Sequence, residues 1–579
     1  MSARDQVDDF APPWAGFADF FLDRTGAADR VFLVELDHLA GTRREWTAGE
    51  WRDSVLATAG WLSSCGVREG ETVATLAGNT AGALRVAYAA WVMGACCVPL
   101  NPGDDVQRQS FIIKDSQARL LVHSAAALDH AGALAEATAV PLRSTDDLPQ
   151  PETEPGPVHV AAPAGAGLDV PALRVYTSGT TGQPKGVVLT ARNLLTDCDA
   201  LHRRLGWSDD TRVLTVLPVH HVNGLVISSL LPWYAGLTTV LCDRFRSERF
   251  WEDVEAEGAT VSSMVPSLLE FLLSAGGTAP EDFAEVLCGA GPLLVDTVME
   301  FEERFGVPVR HLYGLSETTA VVTLTDRMDD DARRHWHRAY GAPSIGPALA
   351  HVEVEVHDLD GSPVGEGERG ELVMRGAVVM EGYAGLPDAT AEAFRGGWFR
   401  SGDEGFWIRD GEQPPYFFIT GRIKELIIRG GTNISPLEID AVLRSHPAVD
   451  FALAVPFENR YYGEEVAAYV VASAPVSDEE ILAHCARYLD HARTPKVVIQ
   501  GDDVPFTVTG KAKRLELKQR LAPQLAAYRE QQFRRSRSGV QAHHVPPLGV
   551  RDRDKHDDGE ADSRSITTET EETTERTQP

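Results

Sequence analysis

The chain reads as an α/β protein with largely parallel sheets, followed by a small β-rich section and a smaller, compact α+β domain. Three observations predict this. From Val31 to Pro308, short β-branched runs alternate with helical patterns, as in parallel sheets covered by helices. After Gly341 the pattern becomes strand, Gly-rich turn, strand. From Gly421 onward, short strands and capped helices share about a hundred residues, enough for one further core.

Taken in order, "ETVATLA" predicts a strand before the helical "AGALRVAYAAWVMGA", "RVLTVLP" one before "GLVISSLLPWYAG", and "ATVSSMVP" one before "SLLEFLLSAG". The most apolar stretch, "LRVAYAAWVMGACCVPL" from Leu84, is interrupted by Arg85 and falls short of a bilayer span. It predicts a buried helix running into a strand, with Cys96 and Cys97 inside. "HVEVEVHDLDGSPVGEGERGELVMRG" predicts two strands joined by Asp-Gly and Gly-rich turns. In "SPLEIDAVLRSH", Ser435 and Glu438 predict a capping box with Pro436 at the first helical position. "SDEEILAHCARYLD" repeats the device with Ser477 and Glu480. From Arg551 to the end, Ile566 is the one clearly apolar side chain, so the tail is expected to be disordered.

At 579 residues the chain exceeds one ordinary core, which implies two or more domains. Its 43% hydrophobic and 24% charged residues are those of a soluble enzyme. The acidic start "MSARDQVDDF" is no secretory signal. Seven scattered cysteines without a CxxC pair point to reduced thiols and a cytoplasmic location rather than a disulfide frame or zinc site. A net charge of −31 argues against nucleic acid or an anionic membrane as partner, so an anionic ligand must be held by local positive groups. The chain has eight lysines, among them Lys185, Lys424 and Lys511; in an arginine-dominated background these mark places where a compact ammonium suits better than a planar fork.

"VYTSGTTGQPKGVVLT", Val175 to Thr190, places glycines, hydroxyls and one lysine between two β-type runs. The Walker spacing fails, because "TTGQPKG" follows Gly179 and Pro184 precedes the lysine. Backbone N–H groups of such a Gly-rich turn still form an anion nest, and its hydroxyls add donors.

This stretch resembles the phosphate loop of the adenylate-forming superfamily, which includes acyl-CoA synthetases, adenylation domains of nonribosomal peptide synthetases and firefly-type luciferases. Further resemblances follow in the family's order: "VPLNP" from Val98, "LPVHHVNGL" from Leu217, "LCGAGPL" from Leu287, "YGLSETT" from Tyr313, "GELVMRGAVVMEGY" from Gly370, "GWFRSGDEG" from Gly397, "FFITGRIKELIIRGGTNISPLEI" from Phe417 and "TGKAKRLEL" from Thr509. The resemblance implies a large N-terminal adenylate-forming domain, residues 1–422, of two α/β sheets plus a small β-rich subdomain. It also implies a mobile α+β lid over residues 423–535, leaving 536–579 as the tail.

The implied chemistry begins with attack of a carboxylate on the α-phosphorus of ATP, giving an acyl-adenylate and pyrophosphate, where fixed donors and cations stabilise the gathering charge. By resemblance, Lys511 reaches the carboxylate and α-phosphate, Lys424 is the hinge of the lid, and His221 lies beside the acyl carboxylate. Thr177, Ser178, Gly179, Thr180, Thr181, Gly182 and Lys185 hold the outer phosphates, and Glu317 binds Mg²⁺, a cation that favours oxygen ligands. Gly289, Ala290 and Gly291 line the adenine edge and Tyr313 stacks on it, with Gly314 and Ser316 in the same motif. Asp403 accepts from the ribose hydroxyls, and Arg422 contacts ribose and phosphate. Ser316 stands where the family usually has Thr, Ile428 where some relatives carry Lys, and Asn433 where others carry Gln.

His220 takes a place usually aromatic, and reads either as a more polar pocket entrance or as an imidazole filling that slot. No Asp occurs between Leu217 and Leu225, where α-amino-acid adenylators carry one, so a fatty, aryl or other simple organic acid is expected. Asn223, Met264, Val265, Val321 and Val322 are candidate pocket walls. The implied acceptor is the thiol of coenzyme A; a carrier-protein phosphopantetheine, an amine or another small nucleophile is the alternative. A nucleotide-binding protein without chemistry is disfavoured by Lys511, Asp403 and Glu317.

Overall fold

In the seven-stranded sheet, the strands Thr72–Leu76, Cys96–Pro99, Leu120–His123, Leu142–Ser144 and Pro171–Ser178 are mutually parallel, and Pro184–Thr190 and Gly382–Tyr383 extend one edge antiparallel. The computed structural model describes residues 10–150, 167–178, 183–291, 293–327, 339–340, 344–506 and 512–537. A second sheet of eight strands runs, in spatial order, Thr323–Leu324, Val309–Tyr313, Glu285–Cys288, Val261–Met264, Arg212–Thr215, Thr238–Cys242, Val31–Asp37 and Thr42–Thr47. Its six inner strands are parallel, and only the outermost pair at each edge is antiparallel.

The expected buried helix is Ala81–Val92, running into the strand Cys96–Pro99. Its alanines and apolar residues are buried almost all round, as a helix enclosed in a core requires. Arg85 within it is 4% exposed; its guanidinium donates to Thr58 Oγ1 at 2.9 Å and Pro149 O at 2.6 Å, and burial pulls its pKa down to about 10. Around it Phe17, Phe21, Phe32, Trp51, Tyr88 and Trp233 interlock edge-to-face and stacked.

The β-rich section is a five-stranded antiparallel sheet, Ser344–Gly346, Tyr416–Arg422, Phe399–Ile408, Gly370–Gly376 and Val352–His357 in spatial order. A fourth sheet, built on the long hairpin Val449–Asn459 and Gly463–Ala472, carries the helices Pro436–Arg444 and Asp478–Tyr488 around a core of Ile427, Ile439, Leu443, Val466 and Ile481. The Ser477–Glu480 capping box forms. The Ser435–Glu438 box does not: Ser435 Oγ donates to the carbonyl of Thr420, and Glu438 faces Arg493 at 3.4 Å. A nearby backbone acceptor outcompetes the local cap, while Pro436 holds the first helical position as expected.

By its contacts the chain divides into two units, Met1–Ala522 and Pro523–Pro579. All four sheets belong to the first; the described residues of the second, 523–537, are helical. The expectation of a disordered tail falls, from residue 538 onward, outside the described residues. No described helix is long and apolar enough to cross a membrane.

Candidate active site

Four loops leave the carboxyl ends of four adjacent parallel strands in the eight-stranded sheet. They are 216–222 after Arg212–Thr215, Val265 after Val261–Met264, Gly289–Gly291 after Glu285–Cys288, and Gly314–Glu317 after Val309–Tyr313. In open α/β sheets this edge is where ligands bind. The strand order thus gathers His221, Gly289, Ala290, Gly291, Tyr313, Gly314, Ser316 and Glu317, far apart in sequence, along one rim.

In the Gly289–Gly291 loop, a Cβ on Gly289 would lie 2.4 Å from both Cδ1 and O of Leu312, so only glycine lets this loop lie against the next strand. Ala290 beside it has φ +64. Tyr313 is buried, and its hydroxyl donates to Asp403 Oδ2 at 2.7 Å. Asp403 and Arg422 are direct partners on antiparallel strands, and Arg422 Nε meets Asp403 Oδ1 at 2.8 Å. Burial, with Asp403 adding, pushes the Tyr313 phenol well above its ordinary pKa. Burial, the largest single influence, would lower Arg422, but Asp403 together with Tyr313, Glu425 and Glu317 outweighs it and the guanidinium is held above its usual value.

In the seven-stranded sheet, Pro171–Ser178 and Pro184–Thr190 form the arms of a hairpin with Thr177 directly opposite Lys185. Gly179, Thr180, Thr181 and Gly182 lie outside the described residues, as does Lys511. Glu317 sits in the single turn Ser316–Thr318, and its backbone carbonyl accepts from Met380 N at 2.8 Å. Tyr383 joins the two halves: its hydroxyl donates to Glu317 Oε1 at 2.9 Å, and Lys185 Nζ lies 4.8 Å from its ring centre. Among the described residues no cation pairs with Glu317, so a half-buried carboxylate held by one neutral donor is left to a hard cation. That donor chemistry fits Mg²⁺.

In the loop 216–222, His220 and His221 stand with ring centres 4.5 Å apart, directly before an eight-residue π-helix, Asn223–Leu230. Such helices are rare and concentrate at functional sites; the helical pattern expected there is present, but with this wider winding. A Cβ on Gly224 would lie 2.4 Å from Pro218 O, so the loop closes tightly on the start of that helix. His220 Nδ1 and Nε2, His221 Nε2 and Asn223 Oδ1 are buried and without a hydrogen-bond partner among the described residues. Such atoms are costly to leave unpaired. Burial, reinforced by His221, lowers the His220 pKa to about 3; burial lowers His221 to about 4 against the opposing pull of Asp104.

Three anchoring residues were not singled out from the sequence. Asn79 clamps the histidine loop, donating to Leu217 O and Cys242 O and accepting from Val219 N at 2.9 Å. Asn193 caps its own helix and donates to Ala377 O and Val379 O. Asp197, fully buried and raised by burial to about 8, accepts from Val321 N at 3.1 Å. The mark available for Asn79 and Asn193 was a polar residue at or just after a strand end, too common to single out.

Lys424 occupies the turn Ile423–Glu425 immediately after Arg422, between the third and fourth sheets. Of the candidate walls, Met264, Val265, Val321 and Val322 are all buried.

The histidine pair carries a pH prediction. With folded pKa values below the unfolded value of 6.5, both rings bind fewer protons folded than unfolded across the window down to about 4. Their contribution to stability is complete above 6.5 and is lost as pH falls through that window. Replacing His220 by Phe is expected to flatten the dependence of melting temperature on pH between about 5 and about 7. An unchanged slope in calorimetry contradicts this.

A Gly-rich loop and Glu317 on the rim of one α/β sheet, a Gly-rich hairpin at the edge of the other, and the Tyr313–Asp403–Arg422 cluster between them suit the class of adenylate-forming enzymes. The chain belongs to the AMP-binding enzyme family, which it matches over residues 22–384, with the C-terminal domain of AMP-binding enzymes matched over 438–511. It is 35% identical over 470 residues to a sulfoacetate–CoA ligase of Cupriavidus necator, covering 79% of this chain and 88% of that protein. It is 30% identical over 496 residues to a 2-succinylbenzoate–CoA ligase of Bacillus licheniformis, covering 84% and 96%. Its fold is similar to that of the o-succinylbenzoate CoA synthetase of Bacillus subtilis in complex with its acyl-adenylate intermediate, with a TM-score of 0.75, 28% identity, and 86% and 97% of the two chains covered.

Proposed function

We propose that this chain is an AMP-forming acid–CoA ligase of the cytoplasm, acting on a short acid that bears a second oxygen-rich group. The reaction has two halves. A carboxylate oxygen of the acid attacks the α-phosphorus of ATP, and the bond to pyrophosphate breaks. The thiol of coenzyme A then attacks the acyl carbon, its proton is lost, and AMP departs from the resulting thioester.

Within this reading, Asp403 and Arg422 hold the ribose while Tyr313 and the Gly289–Gly291 loop bound the adenine. Thr177, Ser178, the loop 179–182 and Lys185 hold the outer phosphates. Glu317 holds Mg²⁺, which when bound neutralises phosphate charge. Lys511 draws the acid's carboxylate and the α-phosphate together, and His221 lies beside the acyl group. Residues 1–422 form the large domain, and 423–535 the lid that turns about Lys424 between the half-reactions. The placement of the two family matches on either side of Lys424 supports that division. All seven cysteines are free thiols, which supports a reducing compartment.

The observation that carries the choice of acid is the set of buried, unpaired polar atoms on His220, His221 and Asn223. A plain hydrocarbon chain leaves them unpaired, whereas a sulfonate, second carboxylate or hydroxyl pairs them. Relatives named for sulfoacetate and 2-succinylbenzoate, both acids of this kind, support the same class. The test is a panel of acids with ATP, Mg²⁺ and coenzyme A, read by mass spectrometry. Short acids with a second oxygen-bearing group are expected to give acyl-CoA and AMP; turnover confined to unsubstituted fatty acids contradicts the assignment.

A further inference from the structure

We infer that Tyr383 is a positioning residue of the adenylation step, holding Glu317 ready for the metal while keeping Lys185 aimed at the phosphates. The inference rests on the reading of Lys185 and Glu317 given above. An ammonium and a carboxylate on neighbouring elements of an empty anion site tend to pair with each other, and that pair would have to be broken before a metal–nucleotide complex binds. Among the described residues Lys185 and Glu317 make no direct ion pair. The side chain of Tyr383 touches both: its ring faces the ammonium at 4.8 Å, a cation–π distance, and its hydroxyl donates to Glu317 Oε1 at 2.9 Å.

The backbone around Tyr383 is built to hold that position. Gly382 and Tyr383 pair antiparallel with Val188 and Val187 on the arm that carries Lys185, and Ala384 N donates to Gly186 O at 2.8 Å. Tyr383 N donates to Thr390 Oγ1 at 2.9 Å, and Gly382 has φ +147 with Thr390 packed where its side chain would stand. Met380 N reaches Glu317 O and Thr319 Oγ1 reaches Val378 O, so the same segment also fixes the turn that bears Glu317. With Oε1 engaged, the glutamate keeps one orientation and Oε2 remains for the cation. Outer donors of this type typically change metal affinity by about 10–100-fold when removed.

The test is the Mg²⁺ dependence of acid-dependent ATP–pyrophosphate exchange in wild type, Tyr383→Phe, Glu317→Gln and the double variant. Tyr383→Phe keeps the ring over Lys185 and removes only the donor; its half-saturating Mg²⁺ is expected to rise about tenfold with the KM for the acid unchanged. Because the hydroxyl acts through the carboxylate, adding Tyr383→Phe to Glu317→Gln is expected to change nothing further. Tyr383→Leu, which also removes the ring, is expected to raise the KM for ATP beyond that of Tyr383→Phe. If Glu317→Gln raises the Mg²⁺ requirement and Tyr383→Phe does not, the inference fails while the metal reading stands. If Glu317→Gln leaves the requirement unaltered, the metal reading itself fails. A Tyr383→Phe enzyme in which the KM values for acid and ATP rise together with no Mg²⁺ effect, or whose effect adds fully to Glu317→Gln, also overturns it.

Discussion

Replacing Lys511 by alanine is expected to lower acid-dependent ATP–pyrophosphate exchange by about 100- to 1000-fold, the loss that follows removal of one fixed donor from a developing charge. As an acid and ATP join, negative charge accumulates on the α-phosphate and the attacking carboxylate. In a chain of net charge −31 that charge has to be met by a local cation. Lys511 is one of few lysines, and it closes the matched C-terminal family segment at 438–511. The variant is expected to form thioester from a supplied acyl-adenylate at the normal rate, since that half-reaction makes no bond to the α-phosphate. Rapid-quench assays of the two halves separate the outcomes: exchange retained within a few-fold of wild type removes Lys511 from the chemistry.

Gly314→Ala is expected to be nearly as damaging, for a steric reason. A Cβ at Gly314 would stand 2.0 Å from Ala320 O, 2.8 Å from Ala320 C and 2.9 Å from Val321 Cα, all backbone atoms. That segment has nowhere to retreat: Val321 N is held by Asp197, Val322 N by the carbonyl of Tyr313 at 2.9 Å, and Val322 O by Leu349 N at 2.8 Å. The strain therefore falls on Tyr313 and the turn carrying Glu317, which must move by about 1 Å to restore ordinary contact. Misplacement on that scale typically costs about 100-fold in rate. Steady-state kcat/KM for ATP measures it, with thermal melting as a check that the variant folds; a value near wild type would show that the loop has slack the geometry does not allow.

Much of this was legible before any coordinate. The alternation of β-branched runs and helical patterns anticipates both parallel sheets, because period and turn chemistry are local properties. The loops carrying His221, Gly289, Tyr313 and Glu317 were recognisable as motifs, and the strand order explains why they meet. The partners of those residues were not legible. Tyr383 lies 66 residues from Glu317 and Asn79 lies 138 from Leu217, so no window of sequence contains both members. The Ser435–Glu438 cap shows the converse failure: the local signature was correct in form, and a tertiary acceptor at Thr420 displaced it. At Asn223–Leu230 apolar periodicity indicated a helix without distinguishing the π winding, which the tight closure at Gly224 accompanies.

In the proposed reaction the acid's own carboxylate attacks the α-phosphorus of ATP. Turnover of an acid labelled with ¹⁸O in both carboxylate oxygens, with ATP, Mg²⁺ and coenzyme A, tests this most directly. AMP bearing one ¹⁸O atom, unlabelled pyrophosphate, and a thioester retaining the other label are expected. Label in pyrophosphate or orthophosphate, or thioester formed without AMP, would contradict it.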